Sequence, residues 1–301
     1  MGENANLKKM AVPANPAFKR VGLIAKPNDR RVGTVLPALF ELLRWRGVDI
    51  ALDNTCADIL QARHLALAPR DRENGCELFI TIGGDGTLLH AAHMRFGYEV
   101  RLLGINLGKL GFLADISPEE VNERLGAILD GHYIDEKRAA LRCAVLRDAE
   151  NIAQFDAIND TVIHHWNIAR LIRLDTHING TFVHSQRADG IIIATPTGST
   201  AYALSGGGPI LHPSLDAILL VPVCPHALSN RPIVVAGNSR IEIVVGTEQV
   251  GHARLTCDGD KGFDLAPQDR VIVEHSDHHI HLIHPANHDY YATLRAKLNW
   301  G

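Results

Sequence analysis

Apolar spacing divides this chain in two before any single residue is considered. In the first third, short apolar runs alternate with helical periodicity. Val21 to Ala25 is the first run, and Leu36, Leu39, Phe40 and Leu43 then recur at helical intervals. Pro37 has no amide hydrogen, which predicts that this helix opens near Leu36 with the proline in its first turn. Asp49 to Leu52, Leu78 to Ile82 and Val100 to Ile105 read as further strands, and Leu88 to Phe96 as a helix. Such alternation builds βαβ units around a parallel sheet. Ser117-Pro118-Glu119-Glu120 is a capping box with proline at the first helical position, opening a helix that runs to about Gly131 and links the two halves.

Beyond residue 138 the period shortens. Asn179-Gly180 and Asp258-Gly259 are hairpin dipeptides. The runs Ile191 to Ile193, Ile218 to Val223, Ile233 to Val235 and Ile241 to Val245 fit packed β-sheets. Helical character returns from Tyr290 to Trp300, a segment expected to pack back on the first domain. The predicted class is α/β: a Rossmann-like parallel-sheet domain over residues 19–116, completed by a C-terminal helix in 287–301, and an all-β sandwich over 117–286. Residues 1–18 are expected to form a flexible leader.

Bulk properties narrow the function. The chain has 301 residues, 46% hydrophobic and 21% charged, enough for two cores in a soluble globular protein. A net charge of −4 argues against an extended nucleic-acid surface. Five scattered cysteines form no C-x-x-C pair, which predicts reduced, mostly buried thiols and a cytoplasmic protein. No apolar run approaches the roughly 18 residues of a membrane helix, so no membrane partner is expected.

The densest chemical signal is Thr81-Ile-Gly83-Gly84-Asp85-Gly86-Thr87, directly after the apolar run at Leu78. Glycines let a backbone approach a phosphate closely, and a helix start points free N–H groups at it. A carboxylate is electrostatically wrong for simple anion binding, but it suits proton abstraction from a hydroxyl or metal holding. The same residues also suit a strand–helix turn with a capping aspartate. Gly104-Ile-Asn-Leu-Gly108-Lys109-Leu-Gly111 is a second glycine turn, either another wall of a phosphate site with Lys109 supplying charge or a crossover loop. Adjacent amide and carboxylate groups at Asn159-Asp160 suit a ribose, though such pairs also make ordinary turns.

Asp189 to Ser205 is more specific. A strand runs into Thr195-Pro196-Thr197-Gly198-Ser199-Thr200, where hydroxyls and a glycine gather at a helix start, and Tyr202 adds a ring face or phenol. Ser199 lies in no G-x-S-x-G elbow, so hydrolase chemistry is poorly supported. Walker A and G-x-G-x-x-G sequences are absent. His275, His278, His279, His281, His284 and His288 crowd one segment, but no carboxylate follows at a metal-binding spacing; core or solvated histidines are expected, and no metal ligand is assigned. His164-His165 reads as strand surface.

Together, Gly83-Gly84-Asp85-Gly86-Thr87, Asn159-Asp160 and Asp189-Gly190 through Tyr202, with Ser205, Gly207, Gly208 and Pro209, resemble the NAD kinase family. The Gly104 to Phe112 turn and Ile283-His284-Pro285 match as well, so the resemblance covers about residues 20–300. The first motif is shared with lipid kinases and phosphofructokinases; the long second one is close to diagnostic. The resemblance implies phosphorylation of the 2′-hydroxyl on the adenosine ribose of NAD, giving NADP. ATP would be the donor (some members also use polyphosphate), with magnesium or another divalent metal, in a homodimer or homotetramer. It implies that Asp85 accepts the proton, that Gly83, Gly84 and Gly86 contact phosphates, and that Asn159 and Asp160 hold ribose hydroxyls. Arg170, Arg187, Asp189, Thr197, Thr200, Ala201, Tyr202, Ala203, Leu204 and Ser205 would line the nucleotide site, with Asp260 at a further contact.

Several positions depart from the family pattern. Asp160 stands where many members carry Glu, Asp260 replaces an amide common in relatives, and Leu107 and Lys109 occupy positions often held by other residues. A lipid or sugar kinase sharing the glycine turn is the alternative enzyme, and a non-catalytic NADP-binding sensor the alternative from another class. Arg187 lies where the family varies between basic and small residues, and its guanidinium could hold phosphate bidentately. NAD is therefore expected to be the substrate in preference to NADH; comparable turnover of the two dinucleotides in a steady-state assay would refute that preference.

Overall fold

A computed structural model describes residues 16–68, 75–98, 101–108, 110–166, 171–227, 229–247 and 253–300. Residues 1–15 of the expected leader lie outside this set. Its last residues are part of the fold: the Ala17 amide donates to Leu129 O at 2.8 Å, and the buried Phe18 ring packs 5.4 Å from Tyr133.

The chain forms two compact units, residues 1–136 with 280–301 and residues 137–279. In the first, β1 (Arg20–Ala25), α1 (Val32–Trp45), β2 (Asp49–Leu52), α2 (Asn54–Ile59), β3 (Leu78–Gly83), α3 (Asp85–Met94) and β4 (Arg101–Asn106) follow in order, and then α4 (Val121–Leu129). Strands β1 to β4 lie in the order β2-β1-β3-β4, all parallel, as the alternation predicts. Every residue of β3 is buried, which explains its unbroken apolar run.

Three expectations are corrected here. Helix α1 opens at Val32, so Pro37 sits in its second turn rather than its first. Helix α3 opens at Asp85 rather than at Leu88, because extended Gly84 (φ −151°, ψ −169°) caps it and its carbonyl takes the Thr87 and Leu88 amides. The unit boundary falls at 136/137 rather than 116/117. The physical reason is the apolar face of α4: Val121, Leu125, Ile128 and Leu129 pack into the same core as Val21, Leu36, Leu39 and Ile80. Arg46 locks that arrangement, reaching Asp130 at 2.7 Å and Gly126 O at 2.9 Å.

The second unit is built from β5 (Tyr133–Arg147), β6 (Glu150–Ala157), β7 (Asp160–His165), β8 (Ile172–Ile178), β9 (Thr181–Ala188), β10 (Gly190–Ala194), α5 (Tyr202–Ser205), β11 (Ala217–Val223), β12 (Ile233–Ala236), β13 (Ile241–Val245), β14 (Ala253–Cys257), β15 (Asp260–Leu265) and β16 (Arg270–Pro285), β5 and β16 each crossing the division. One sheet runs β12-β11-β10-β7-β14-β15, all antiparallel. Its inner residues Ile163, Ile191, Ile193 and Leu255 pack with Ile172, Leu174, Ile241 and Val273 of the facing sheet, giving the expected sandwich. Ile192, Leu219 and Val221 point the other way into a second apolar cluster with Ala203 and Leu211. Both faces of β10 are therefore covered, and period-2 alternation gives way to a continuous apolar run.

Both hairpin dipeptides turn as predicted, with Asn179 and Gly180 at φ +52° and +77°, and Asp258 and Gly259 at +50° and +72°. The long β5–β6 hairpin was not foreseen: Asp148 and Ala149 adopt φ +50° and +68° without the glycine that normally signals such a turn. Four cysteines are buried and Cys224 is exposed. After β16, α6 (Tyr290–Leu298) belongs to the first unit, and the end of β16 pairs in parallel with β4 at His281–Arg101 and Leu282–Leu102. Ile128→Ala is expected to cost about 2–5 kcal/mol by leaving a cavity in the first core. Exposed Glu123→Ala should stay within about 0.5 kcal/mol, both read from denaturant unfolding.

Candidate active site

In the first unit, β3 delivers Gly83 and Gly84 to the α3 N-terminus, whose first amides have no intrahelical acceptor. No atom lies within 4 Å of where a Cβ would stand on Gly84 or Gly86, so this side of the turn is open. A Cβ on Gly83 would collide with Thr87 Oγ1. The half-buried Asp85 side chain is clasped by the second glycine turn. Its carboxylate accepts the Phe112 amide at 2.8 Å, Leu113 at 3.1 Å and Ala114 at 3.0 Å. A Cβ on Gly111 would collide with Asp85 Oδ1, so this clasp depends on glycine there.

Further bonds bind the two turns together. Leu107 N donates to Gly83 O at 2.7 Å, and Asn106 Oδ1 takes the Gly108 amide at 2.9 Å. Arg31, paired with Asp29 at 2.7 Å, donates to Leu107 O at 2.6 Å. The second glycine turn thus walls the first. Lys109, offered for charge, lies outside the described residues.

In the second unit, a cavity of about 640 Å³ is lined by Asn159, Asp160, Asp189, Ala201 and Tyr202 from the sequence assignment. It is also lined by His164, His165, Thr256, Asp258 and Gly259, none of which that reasoning placed in a site. The two histidines read as strand surface are half-buried cavity walls. Asp258 does more than form a turn. Its carboxylate takes three consecutive amides, Ile158 and Asn159 at 2.7 Å and Asp160 at 3.0 Å, while its own amide donates to Asp160 O. The sequence signal that could have found it is the aspartate of the Asp-Gly turn, one position after β14 ends beside β7.

The Thr195–Thr200 turn docks on the same backbone. Thr195 Oγ1 donates to Ile158 O at 2.7 Å, and a Cβ on Gly198 would collide with Asn159 O. The fully buried Ser199 hydroxyl donates to Pro196 O at 2.6 Å and accepts the Leu211 amide at 2.9 Å. Thr195 and Ser199 are therefore committed to internal bonds. Thr197 is buried, with its hydroxyl 3.3 Å from Arg138 Nη1, and Thr200 Oγ1 donates to Thr197 O at 3.1 Å. Ala203 is wholly buried in the apolar cluster, whereas Leu204 and Ser205 continue α5 away from the cavity lining. Exposed Arg187 in β9 and exposed Asp260 at the start of β15 also stand outside that lining. Arg170 lies outside the described residues.

Burial, and then the Asp258 carboxylate beside it, push the Asp160 carboxyl up to about 7. A like charge and a low-dielectric site both disfavour the ionised form.

A glycine-turn α/β unit with a carboxylate in the first helical turn, joined in one chain to a β-sandwich with an acidic cavity, defines a nucleotide phosphotransferase. Residues 21–133 match the ATP-NAD kinase N-terminal domain and residues 158–285 the ATP-NAD kinase C-terminal domain. NAD kinases of Pseudomonas putida (strain W619) and Pseudomonas fluorescens (strain SBW25) are each 45% identical over 285 residues, covering 94% of this chain and 96% of theirs. The crystal structure of yeast NADH kinase complexed with NADH superposes with a TM-score of 0.86 at 27% identity, over 96% of this chain and 89% of that one. An Archaeoglobus fulgidus NAD kinase in complex with ATP shares the fold, with a TM-score of 0.73 at 24% identity, over 92% of this chain and 99% of that one. The chain belongs to the NAD kinase family, the one its motifs resemble. Among the described residues, no helix is long and apolar enough to cross a membrane.

The raised Asp160 carboxyl makes a stability prediction. In the unfolded chain it ionises near 3.8 and in the folded one near 7. The folded state thus holds the extra proton, and stability falls as pH rises between those values. Asp160→Asn removes that loss. Its melting temperature relative to the parent should rise between pH 4 and pH 8; a gap that stays constant across that range contradicts the assignment.

Proposed function

We propose that this chain transfers the terminal phosphoryl group of ATP to the 2′-hydroxyl of the adenosine ribose of NAD, giving NADP and ADP, with Asp85 as the proton acceptor. The observation that carries the residue assignment is the clasp on Asp85. Three backbone amides leave its Oδ2 with one lone-pair site, fixed in place at the mouth of the open glycine turn. As the 2′-oxygen bonds to the γ-phosphorus, its proton passes to Asp85 and the bond to the β–γ bridging oxygen breaks. ADP leaves, and the proton returns to water.

Phosphoryl transfer depends mainly on positioning and charge stabilisation. Gly83, Gly84 and Gly86 with the α3 N-terminus contact donor phosphates in this reading. Magnesium keeps several waters and takes one or two carboxylates plus phosphates, so donor phosphates and water would supply most of its ligands at the open glycine turn. When bound, the ion supplies charge neutralisation to the triphosphate. Asn159 and Asp160 take ribose hydroxyls, an arrangement supported by the cavity they line and by the amide clamp that Asp258 places on their backbone. Of the other residues assigned from the resemblance, Asp189, Ala201 and Tyr202 are supported in nucleotide roles by their place in the cavity, whereas Ala203 is buried in the apolar cluster behind it. The enzyme acts in the cytoplasm as a homodimer or homotetramer.

Following NADP formation by purified protein, with ATP or polyphosphate as donor and mass by light scattering, tests the reading. A carboxylate base contributes about 10²–10⁴-fold in such steps. Asp85→Asn should therefore keep NAD binding by calorimetry and lose at least about 10² in turnover. Near-parental turnover in that variant would remove Asp85 from its role.

A further inference from the structure

One cluster of metal-ligating side chains lies outside everything used above. Asp115 follows directly on the amides that clasp Asp85, His284 is the penultimate residue of β16, and His288 stands in the turn before α6. All three belong to the first unit. His284 Nδ1 and His288 Nδ1 converge on a single oxygen, Asp115 Oδ2, at 2.9 and 2.8 Å. Their imidazoles stack with centroids 4.0 Å apart and planes at 23°. The ligand atoms of the three residues all lie within 4.8 Å of one another.

We propose that Asp115, His284 and His288 form a binding site for a divalent transition-metal cation of the zinc class. Three observations point beyond ordinary hydrogen bonding. First, Asp115 Oδ1 is buried with no hydrogen-bond partner, although the side chain is only 8% exposed; a bidentate carboxylate on a cation would use it. Second, the buried His284 Nε2 makes no hydrogen bond but faces Glu136 Oε2 at 3.2 Å. A metal-bound imidazole characteristically presents its other nitrogen to a carboxylate, which fixes the proton there and frees the first nitrogen to ligate. Third, the donors are two imidazole nitrogens and one carboxylate. That set suits zinc and its neighbours, whereas magnesium and calcium take oxygen.

The geometry needs little adjustment. Zinc bonds of about 2.0–2.2 Å at tetrahedral angles separate ligand atoms by roughly 3.4 Å, about half an ångström more than the present Nδ1–Oδ2 distances. His288, with 13% of its side chain exposed against 1% for His284, is the ligand that can swing outward to admit the ion. Water or Asp115 Oδ1 completes the fourth position. The bound ion would join the turn that clasps Asp85 to the C-terminal segment, which also reaches that turn where Lys297 lies 5.2 Å over the Phe112 ring.

The test uses the full chain, dialysed against a chelator and titrated with Zn²⁺ at pH 7.5 by calorimetry and thermal unfolding. Co²⁺ serves as a spectroscopic probe of nitrogen and oxygen coordination. His288→Ala removes a ligand at the rim, His288→Asn keeps a polar group there, and exposed His279→Ala controls for binding by the neighbouring histidines. One equivalent per chain is expected. At about a hundredfold excess over Kd, Tm should rise by roughly 4 °C or more. Both the Tm shift and the Co²⁺ absorption should survive in His279→Ala and vanish in the two His288 variants. Absence of binding by the parent chain, or an undiminished Tm shift in folded His288→Asn, overturns the site.

Discussion

A carboxylate gripping three consecutive backbone amides occurs twice among the described residues, and both candidate loci depend on it. Asp85 holds Phe112, Leu113 and Ala114; Asp258 holds Ile158, Asn159 and Asp160. Successive amides that point the same way make an anion-binding concavity, and each satisfied amide is one the turn need not leave to solvent. Charge-assisted bonds of this kind are stronger than neutral ones, so each turn is pinned by one side chain. Each device also requires a glycine where backbone and partner approach most closely, at Gly111 against Asp85 and at Gly198 against Asn159 O.

The two clasps do different chemistry with the same geometry. In the first unit the gripped carboxylate is the group proposed to accept the proton, and the turn limits how its oxygens are used. In the second, the gripping carboxylate stands behind the site. Asp258 fixes the backbone of Asn159 and Asp160, and its charge adds to burial in raising the Asp160 carboxyl. Asp160, Asp189 and Asp258 give the cavity of the second unit an acidic lining.

Much of this architecture was legible beforehand. Strand and helix alternation up to residue 106, the two hairpins and the glycine turn all rest on local rules of period, turn chemistry and backbone freedom. What escaped was set by distant partners. The β5–β6 hairpin turns through Asp148 and Ala149 without a glycine, so nothing local marks it. The α4 helix was legible as a helix, but its unit was decided by which core accepted Leu125 and Ile128. The hydroxyls of Thr195 and Ser199 looked like ligand donors because their acceptors, Ile158 O and Pro196 O, become visible only once the turn is folded.

The same reason separates the histidines that matter from those that do not. His284 and His288 lacked a carboxylate at a metal-binding local spacing, and Asp115 meets them from 169 and 173 residues earlier in the chain. By itself, the order of residues determined the family and the two kinds of unit, because glycine, proline and period act over a few neighbouring residues. Tertiary structure alone decided which amides each carboxylate grips, which hydroxyls remain available and which imidazoles meet an acid. Those pairings join segments remote in the chain, and only packing brings them within bonding distance.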